Sequence, residues 1–241
     1  MISLLKYTGV VFGMLFCLTM QAQDLGIDTY QLNSAANNLQ GKMLGEVHVL
    51  SSDATYYFLY PDDWVTGSVT LMNGNVYENL QLRYHAFEDE LIAYNENGRF
   101  LFLVEKELVE SFSFEDADRT RKFIRLVKNN NQQTNMYLEE LYKADISLLV
   151  NWYIYEQTVS PYVDRNGITR AINYVMHKDY YLYTEKNGLE KIRLKKRSLF
   201  LRFPEHKTEI RKIIRKNHMY INNEASMVKV LGLMQENGLL E

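Results

Sequence analysis

The sequence predicts an α+β fold, mainly an antiparallel β meander built as a sandwich or open barrel, with a C-terminal helical tail. Three observations predict it. From Ala54 onward, aromatic and β-branched residues come in short runs: ATYYFLY, GSVTL, VYENLQLRYHAF, ELIAY, RFLFLV, LVESFSF and KFIRLV. Such runs, separated by turn residues, are the mark of successive half-buried strands. Asn-Gly stands at 73–74, 97–98, 166–167 and 187–188, each time beside strand-like flanks. It suits a two-residue hairpin turn, in which both central residues need positive φ. After residue 194 the period changes from two to that of a helix.

Residues 1–22 read as a signal peptide: Lys6 supplies the positive start, Thr8 to Met20 the apolar run, and Ala22 the residue before cleavage. The only cysteine, Cys17, follows Phe16 where a lipid-attachment cysteine wants a small residue, so lipidation is not expected. The chain carries a net charge of −3; without the leader and its Lys6, 26 basic face 30 acidic residues, a net of −4. Export without cysteine excludes a disulfide scaffold, thiolate metal sites and a thiol nucleophile. No later run approaches the roughly 20 apolar residues of a membrane helix, so the exported chain is not expected to span a membrane. The expected location is periplasmic, outer-membrane-associated or extracellular.

Residues 23–50, polar and Asn-rich, read as an N-terminal arm or short helix, and 51–194 as the β-rich domain of about eight to eleven strands. In the hairpin from Gly67 to Phe87, Leu80, Leu82, Tyr84 and Ala86 share one face. Gln81, Arg83 and His85 share the other, which the alternation makes the wet one. FLFLV (100–104) is apolar on both faces, as a doubly covered strand would be. Residues 135–157 fit either a helical stripe or two strands broken at Lys143-Ala144-Asp145; their aromatic content favours the hairpin. Residues 156–178 read as a long loop, followed by a hairpin around Asn187-Gly188.

Residues 195–241 read as a basic helical lobe packed on the sheet. Pro204 fits a helix start, Ile210, Ile213 and Ile214 form an apolar face, and Asn223 is placed to cap a last helix. That helix carries the stripe Met227, Val230, Leu231, Met234 and ends before Gly238.

The segments DDWVTGSVTLMNGNVYENLQLRYHAFEDEL, MYLEELYKADISLL and YYLYTEKNGLEKIRLKKRSLFLRFPEHKTEIRKIIRKN, with the short final helix, together resemble a family of exported (periplasmic or secreted) proteins of Bacteroidota. The shared features are an aromatic residue before a Gly-x-Val-x-Leu strand, a second strand ending in Leu-Arg/Asn-Tyr, and a Lys-rich helical tail. They are structural rather than chemical, so the resemblance carries over no catalytic residue. Ala144-Asp145 stands where such sequences often have a Gly.

Motifs of chemistry are scarce. The five histidines show no zinc spacing, and there is no nucleophile elbow, phosphate loop or dinucleotide fingerprint. No catalytic residue, metal site or cofactor is therefore expected. The carboxylates at Asp62-Asp63, Glu88-Asp89-Glu90 and Glu115, Asp116, Asp118 read as solvated turns. Charge is more informative: Lys191–Lys216 holds 11 Lys/Arg against two Glu, whereas Glu88–Asp118 holds 10 acids against Arg99 and Lys106. A basic lobe of this kind suits an anionic partner, or covers the acidic sheet of its own chain. The candidate binding surface comprises Arg83, His85, Lys195, Lys196, Arg197, Arg211, Lys212 and Arg215. The favoured reading is a non-enzymatic exported binding or envelope-assembly module whose partner is a protein or an anionic envelope component; export argues against nucleic acid. The alternatives are a hydrolase of envelope glycan or peptide, and a peripheral membrane protein that uses the basic tail.

Overall fold

The computed structural model describes residues 30–32, 43–48, 59–95, 100–116, 119–129, 132–165 and 167–240. The expected signal peptide, Cys17, and the Asn-Gly at 97–98 lie outside the described residues. Among the described residues the fold is a single antiparallel sheet with three α-helices, as the composition of runs predicts. Its strands are β1 (Tyr30–Leu32), β2 (Met43–His48), β3 (Leu59–Leu71), β4 (Val76–His85), β5 (Glu90–Asn95), β6 (Phe100–Val104), β7 (Val109–Asp116), β8 (Arg119–Asn129), β9 (Gln132–Tyr142), β10 (Ser147–Val163), β11 (Thr169–Thr184) and β12 (Gly188–Ile192). They lie in the order β1-β2-β6-β5-β4-β3-β7-β8-β9-β10-β11-β12, and the sheet is not closed.

Two expectations are corrected. The polar arm is not helical where it is described: it gives β1 and β2, and β2 pairs with β6. The expected loop over 156–178 is the distal half of one long hairpin, with β10 and β11 paired from Ser147↔Tyr183 to Val163↔Thr169 and a register shift between Thr158 and Tyr162. The ambiguous stretch 135–157 resolves as the hairpin of β9 and β10, its turn lying between Tyr142 and Ser147.

The sheet has to coil. Through the pairings of β4, β5 and β6, Val104 lies level with Tyr60, at the start of β3. Val109 pairs with Leu71, at its end. In a flat sheet these points would be four strand spacings apart, roughly 19 Å, and a further ~30 Å along the strands. Five residues of extended chain reach only about 18 Å. Coiling brings the corners together and puts one face of β3–β10 inside. There Val69, Leu82, Tyr84, Phe102, Phe112, Phe114, Phe123, Tyr137 and Trp152 form the main core. Tyr84 of β4 meets Phe123 of β8 at 5.2 Å between ring centroids, across the concavity rather than along the sheet.

The turns differ in detail from the expected two-residue type. Gly74 (φ 83°) and Gly188 (φ 70°) take positive φ, but Asn73 does not. The Gly74 N–H donates to Leu71 O and the Leu71 N–H to Asn75 O. One glycine thus carries the left-handed position of a longer turn.

The helices α1 (Lys196–Arg202), α2 (Lys207–Lys216) and α3 (Glu224–Glu236) build a second core. Leu199, Ile210, Met227, Val230, Leu231 and Met234 are buried there against Ile146, Leu148 and Leu182 of the β9–β10 turn, β10 and β11. Asn223 caps α3: its side chain accepts from the Ser226 N–H, and the Ser226 hydroxyl accepts from the Asn223 N–H.

Candidate functional site

The densest chemistry lies where the helical lobe meets the coiled sheet. Glu139 of β9 is 1 % exposed and sits on the inner face between Tyr137 and Leu141. Its Oε1 accepts from Arg121 Nη1 at 2.7 Å and Arg119 Nη2 at 3.0 Å, and its Oε2 from Trp152 Nε1 at 2.8 Å. Arg121 also donates through Nε to Asp116 Oδ2 at 2.7 Å, the same oxygen that takes the Tyr60 hydroxyl. Arg119 reaches on to Glu224, the first residue of α3, at 3.1 Å; Lys178 and Tyr180 of β11 donate to the other Glu224 oxygen. Lys178 Nζ lies 3.9 Å from the centre of the Trp152 ring. Three carboxylates (Asp116, Glu139, Glu224) thus meet three cations (Arg119, Arg121, Lys178), and every one is paired. A saturated network of this kind fixes strands and helix to one another; it offers no unshared carboxylate for acid–base work.

The network shifts its own members. The hydrogen bond from Tyr60, then Arg121, holds Asp116 below the usual carboxylate range. Burial pushes Glu224 up, but the charge and hydrogen bond of Lys178, with Tyr180 and Arg119, outweigh it and hold Glu224 low. Burial, reinforced by Asp116 for Tyr60 and by Glu224 for Tyr180, pushes both phenols up. A carboxyl whose folded pKa is depressed binds fewer protons folded than unfolded, so it stabilises above its unfolded value and loses that contribution as pH falls through the folded one. Glu224→Gln is therefore expected to be less stable than the wild type near neutrality and to converge on it as pH falls through and below the ordinary carboxylate range, followed by urea midpoints. Curves that stay parallel would contradict the assignment.

A second cluster closes the β9 side of the concavity. The β9–β10 ladder ends at Val150↔Glu139, and two residues along β9 the Tyr137 N–H donates to the Asp89 carboxylate at 3.2 Å. Asp89 (φ 55°) also accepts from the Tyr84 hydroxyl at 2.7 Å and pairs with Lys106 at 2.6 Å. Burial, its largest influence, raises its pKa despite Lys106 and Tyr84. Asp89 and Asp116 are therefore structural partners, not the solvated turn residues expected. Asp62, Asp63, Glu88 and Glu115 are exposed.

Arg83 and His85 correct the expectation of a wet face. They do lie opposite Leu82 and Tyr84, but each is 3 % exposed. For Arg83 the cause is a bulge: between the pairs Tyr60↔Tyr84 and Val65↔Leu82, four residues of β3 stand against Arg83 alone. Pro61–Trp64 arches over it. Arg83 Nε donates to Pro61 O at 2.9 Å and its guanidinium lies 5.7 Å from the Trp64 ring centre; His85 Nδ1 accepts from the Glu88 N–H at 3.1 Å. Neither belongs to an open surface.

The other candidate residues do. Lys195, Lys196, Arg197, Arg211, Lys212 and Arg215 are exposed and make no ion pair among the described residues. They do not cover the acidic stretch of their own chain, whose Asp89 and Asp116 are paired by Lys106 and Arg121. Between β12 and α1 runs a groove of about 840 Å³ lined by Lys191, Arg193, Lys195, Arg197, Ser198 and Leu201.

Beyond the rungs Val150↔Glu139 and Tyr180↔Ile192, β10 and β11 continue as a two-stranded ribbon. Among the described residues, neither outer edge pairs with another strand. Its side chains leave Tyr155, Val163 (65 % exposed), Ile168, Ile172 and Met176 in solvent.

These features define a class: an open, coiled antiparallel sheet with a docked basic helical lobe and a protruding apolar ribbon. No protein family, characterised protein or solved structure matches the chain.

Proposed function

We propose that the protein is a non-enzymatic exported binding or envelope-assembly module, and that it takes an extended segment of a partner protein along the ribbon. The observation that carries this reading is the β11 edge from Thr169 to Asp179. β12 leaves that edge after Ile192, where the chain turns into α1. The β10 edge is less suited, because Pro161 and a register shift between Thr158 and Tyr162 interrupt it. A long strand edge with apolar neighbours offers main-chain hydrogen bonds for affinity and side-chain contacts for selection, the chemistry of strand addition. The signal peptide read at residues 1–22 and the resemblance to exported (periplasmic or secreted) proteins of Bacteroidota support an envelope partner.

The test places a photoreactive residue at Ile172 or Met176, with Lys186 as control position, in cells of the producing species. One envelope protein should be joined from the ribbon positions and not from the control, and Val175→Lys should lower the yield about tenfold, as loss of a central contact does. Equal labelling from the control position, or turnover of a glycan or peptide by the purified protein, would sink the reading.

A further inference from the structure

We infer that the outer face of the helical lobe is a docking surface for an anionic lipid bilayer, with Leu201 as the residue that enters it. The inference is independent of the ribbon. Three elements contribute cations to this face. The connection from β12 to α1 supplies Arg193 and Lys195; α1 supplies Lys196 and Arg197; α2 supplies Lys207, Arg211 and Arg215. The last three recur every fourth residue, which sets them along one side of α2. The two helices present one continuous surface, since Lys207 and Arg211 of α2 both lie over the Phe200 ring of α1, at 6.0 and 5.6 Å.

None of these seven side chains is neutralised by an ion pair among the described residues, although acids are near. Glu190, at the groove, is taken by Arg202 at 2.5 Å, and Asp179 by Lys191 at 2.5 Å. Glu190 and Asp179 are thus already paired, and Glu209, exposed between Lys207 and Arg211, is one acid against seven cations, so the face keeps a positive excess.

Charge alone would fit any polyanion. Leu201 decides for a bilayer: it is 72 % exposed, on the rim of the 840 Å³ groove whose other walls carry Arg193, Lys195, Arg197 and Ser198. A large apolar side chain ringed by cations matches the two layers of a lipid surface, phosphate outside and acyl chain beneath. The groove is the place for a phosphate headgroup, whose oxygens accept from Arg and Lys donors and from the Ser198 hydroxyl.

The experiment is flotation of the purified full chain with phosphatidylcholine vesicles, with and without phosphatidylglycerol. Binding is expected only to the anionic vesicles, and to fall when salt rises from about 0.1 M to about 1 M, which shortens the screening length from about 10 Å to about 3 Å. Each cation near such a surface contributes roughly fivefold in partitioning, so Lys195→Gln/Arg197→Gln should weaken binding by about 25-fold. These side chains are exposed, and an unchanged thermal midpoint verifies that the variant folds. In a separate arm Leu201→Trp should shift its emission to the blue on binding and be quenched by lipids brominated in the acyl chain.

Absence of binding to anionic vesicles at low salt would overturn the inference, as would binding unaltered in the double variant or a Leu201→Trp signal indifferent to brominated lipid. Inorganic phosphate that abolishes vesicle binding at millimolar concentration would overturn it in favour of a small-anion site. Val175→Lys, which tests the ribbon, should leave flotation unchanged, so the two readings fail separately.

Discussion

Glu139→Ala is expected to destabilise the protein by about 3–5 kcal/mol, the loss that follows when one member of a buried, hydrogen-bonded charge group is removed. The size follows from what stays behind. Arg121 keeps Asp116 but loses its 2.7 Å contact, and the Trp152 indole N–H loses its only acceptor among the described residues, 2.8 Å away. Charge balance changes as well, from three carboxylates facing three cations to two facing three. For a chain of this length each kcal/mol lowers the thermal midpoint by roughly 2–4 °C, so a fall of about 6–20 °C is the measurable outcome.

The neighbouring Arg119→Ala makes the contrast that identifies the cause. Arg119 touches Glu139 and Glu224 but has a side chain 41 % exposed, so water replaces it, and a loss of about 1 kcal/mol or less is expected. Because Arg119 carries the network to the first residue of α3, Glu139→Ala should also loosen the helical lobe and raise cleavage near Tyr220 under limited proteolysis. A Glu139→Ala protein within 1 kcal/mol of the wild type by urea unfolding would show the network to be incidental.

How much of this was legible in the sequence depends on which physical signal each residue leaves. The faces of β4 were legible, since Leu80, Leu82, Tyr84 and Ala86 are buried together in the core. The solvent was not, because the cover over Arg83 comes from a four-residue bulge in β3, and His85 lies between Leu59 of β3 and Glu90 of β5 with the Glu88 N–H on its ring; period-2 alternation encodes neither. The ribbon escaped for the opposite reason. Thr158 to Val163 and Thr169 to Met176 bury no residue on either face, so no alternation marks them, and Pro161 argues for a loop. The helical stripes were legible; Ile210, Ile214, Met227, Val230, Leu231 and Met234 are all buried.

The charge network left half a signal. Arg119 and Arg121 have the parity of buried Phe123, and Glu139 that of buried Tyr137, so a charged group on an inner face could be read from either strand. That Glu224, more than eighty residues further on, would complete it depends on how the sheet coils, which no local pattern specifies.

Gly67→Ala is expected to cost about 3 kcal/mol or more, the upper range of overpacking, although it adds a single methyl group. Gly67 lies in β3 between β4 and β7, paired with Leu80 and Phe114. A Cβ built there would stand 2.3 Å from Ser113 O, 2.8 Å from Leu82 Cδ1 and 3.0 Å from Phe114 Cβ. Leu82 can rotate; the Ser113 carbonyl is backbone and cannot yield unless β7 separates from β3. Such a shift would disturb Phe112, stacked on Phe123 at 4.8 Å, and Phe114, and so the centre of the main core. The Gly of the Gly-x-Val-x-Leu run is thus required by close approach of the strands, not by a turn. Two other glycines calibrate the result. Gly74→Ala meets no atom within 4 Å but must hold φ near 83°, which costs about 1–2 kcal/mol. Gly232→Ala, inside α3 with nothing within 4 Å, should stabilise by about 0.5–1 kcal/mol. Urea midpoints for the three variants should therefore rank Gly232→Ala above the wild type, then Gly74→Ala, with Gly67→Ala lowest. If Gly67→Ala matched Gly74→Ala, β7 would have to yield at its backbone far more easily than the ladder and the aromatic stack beside it allow.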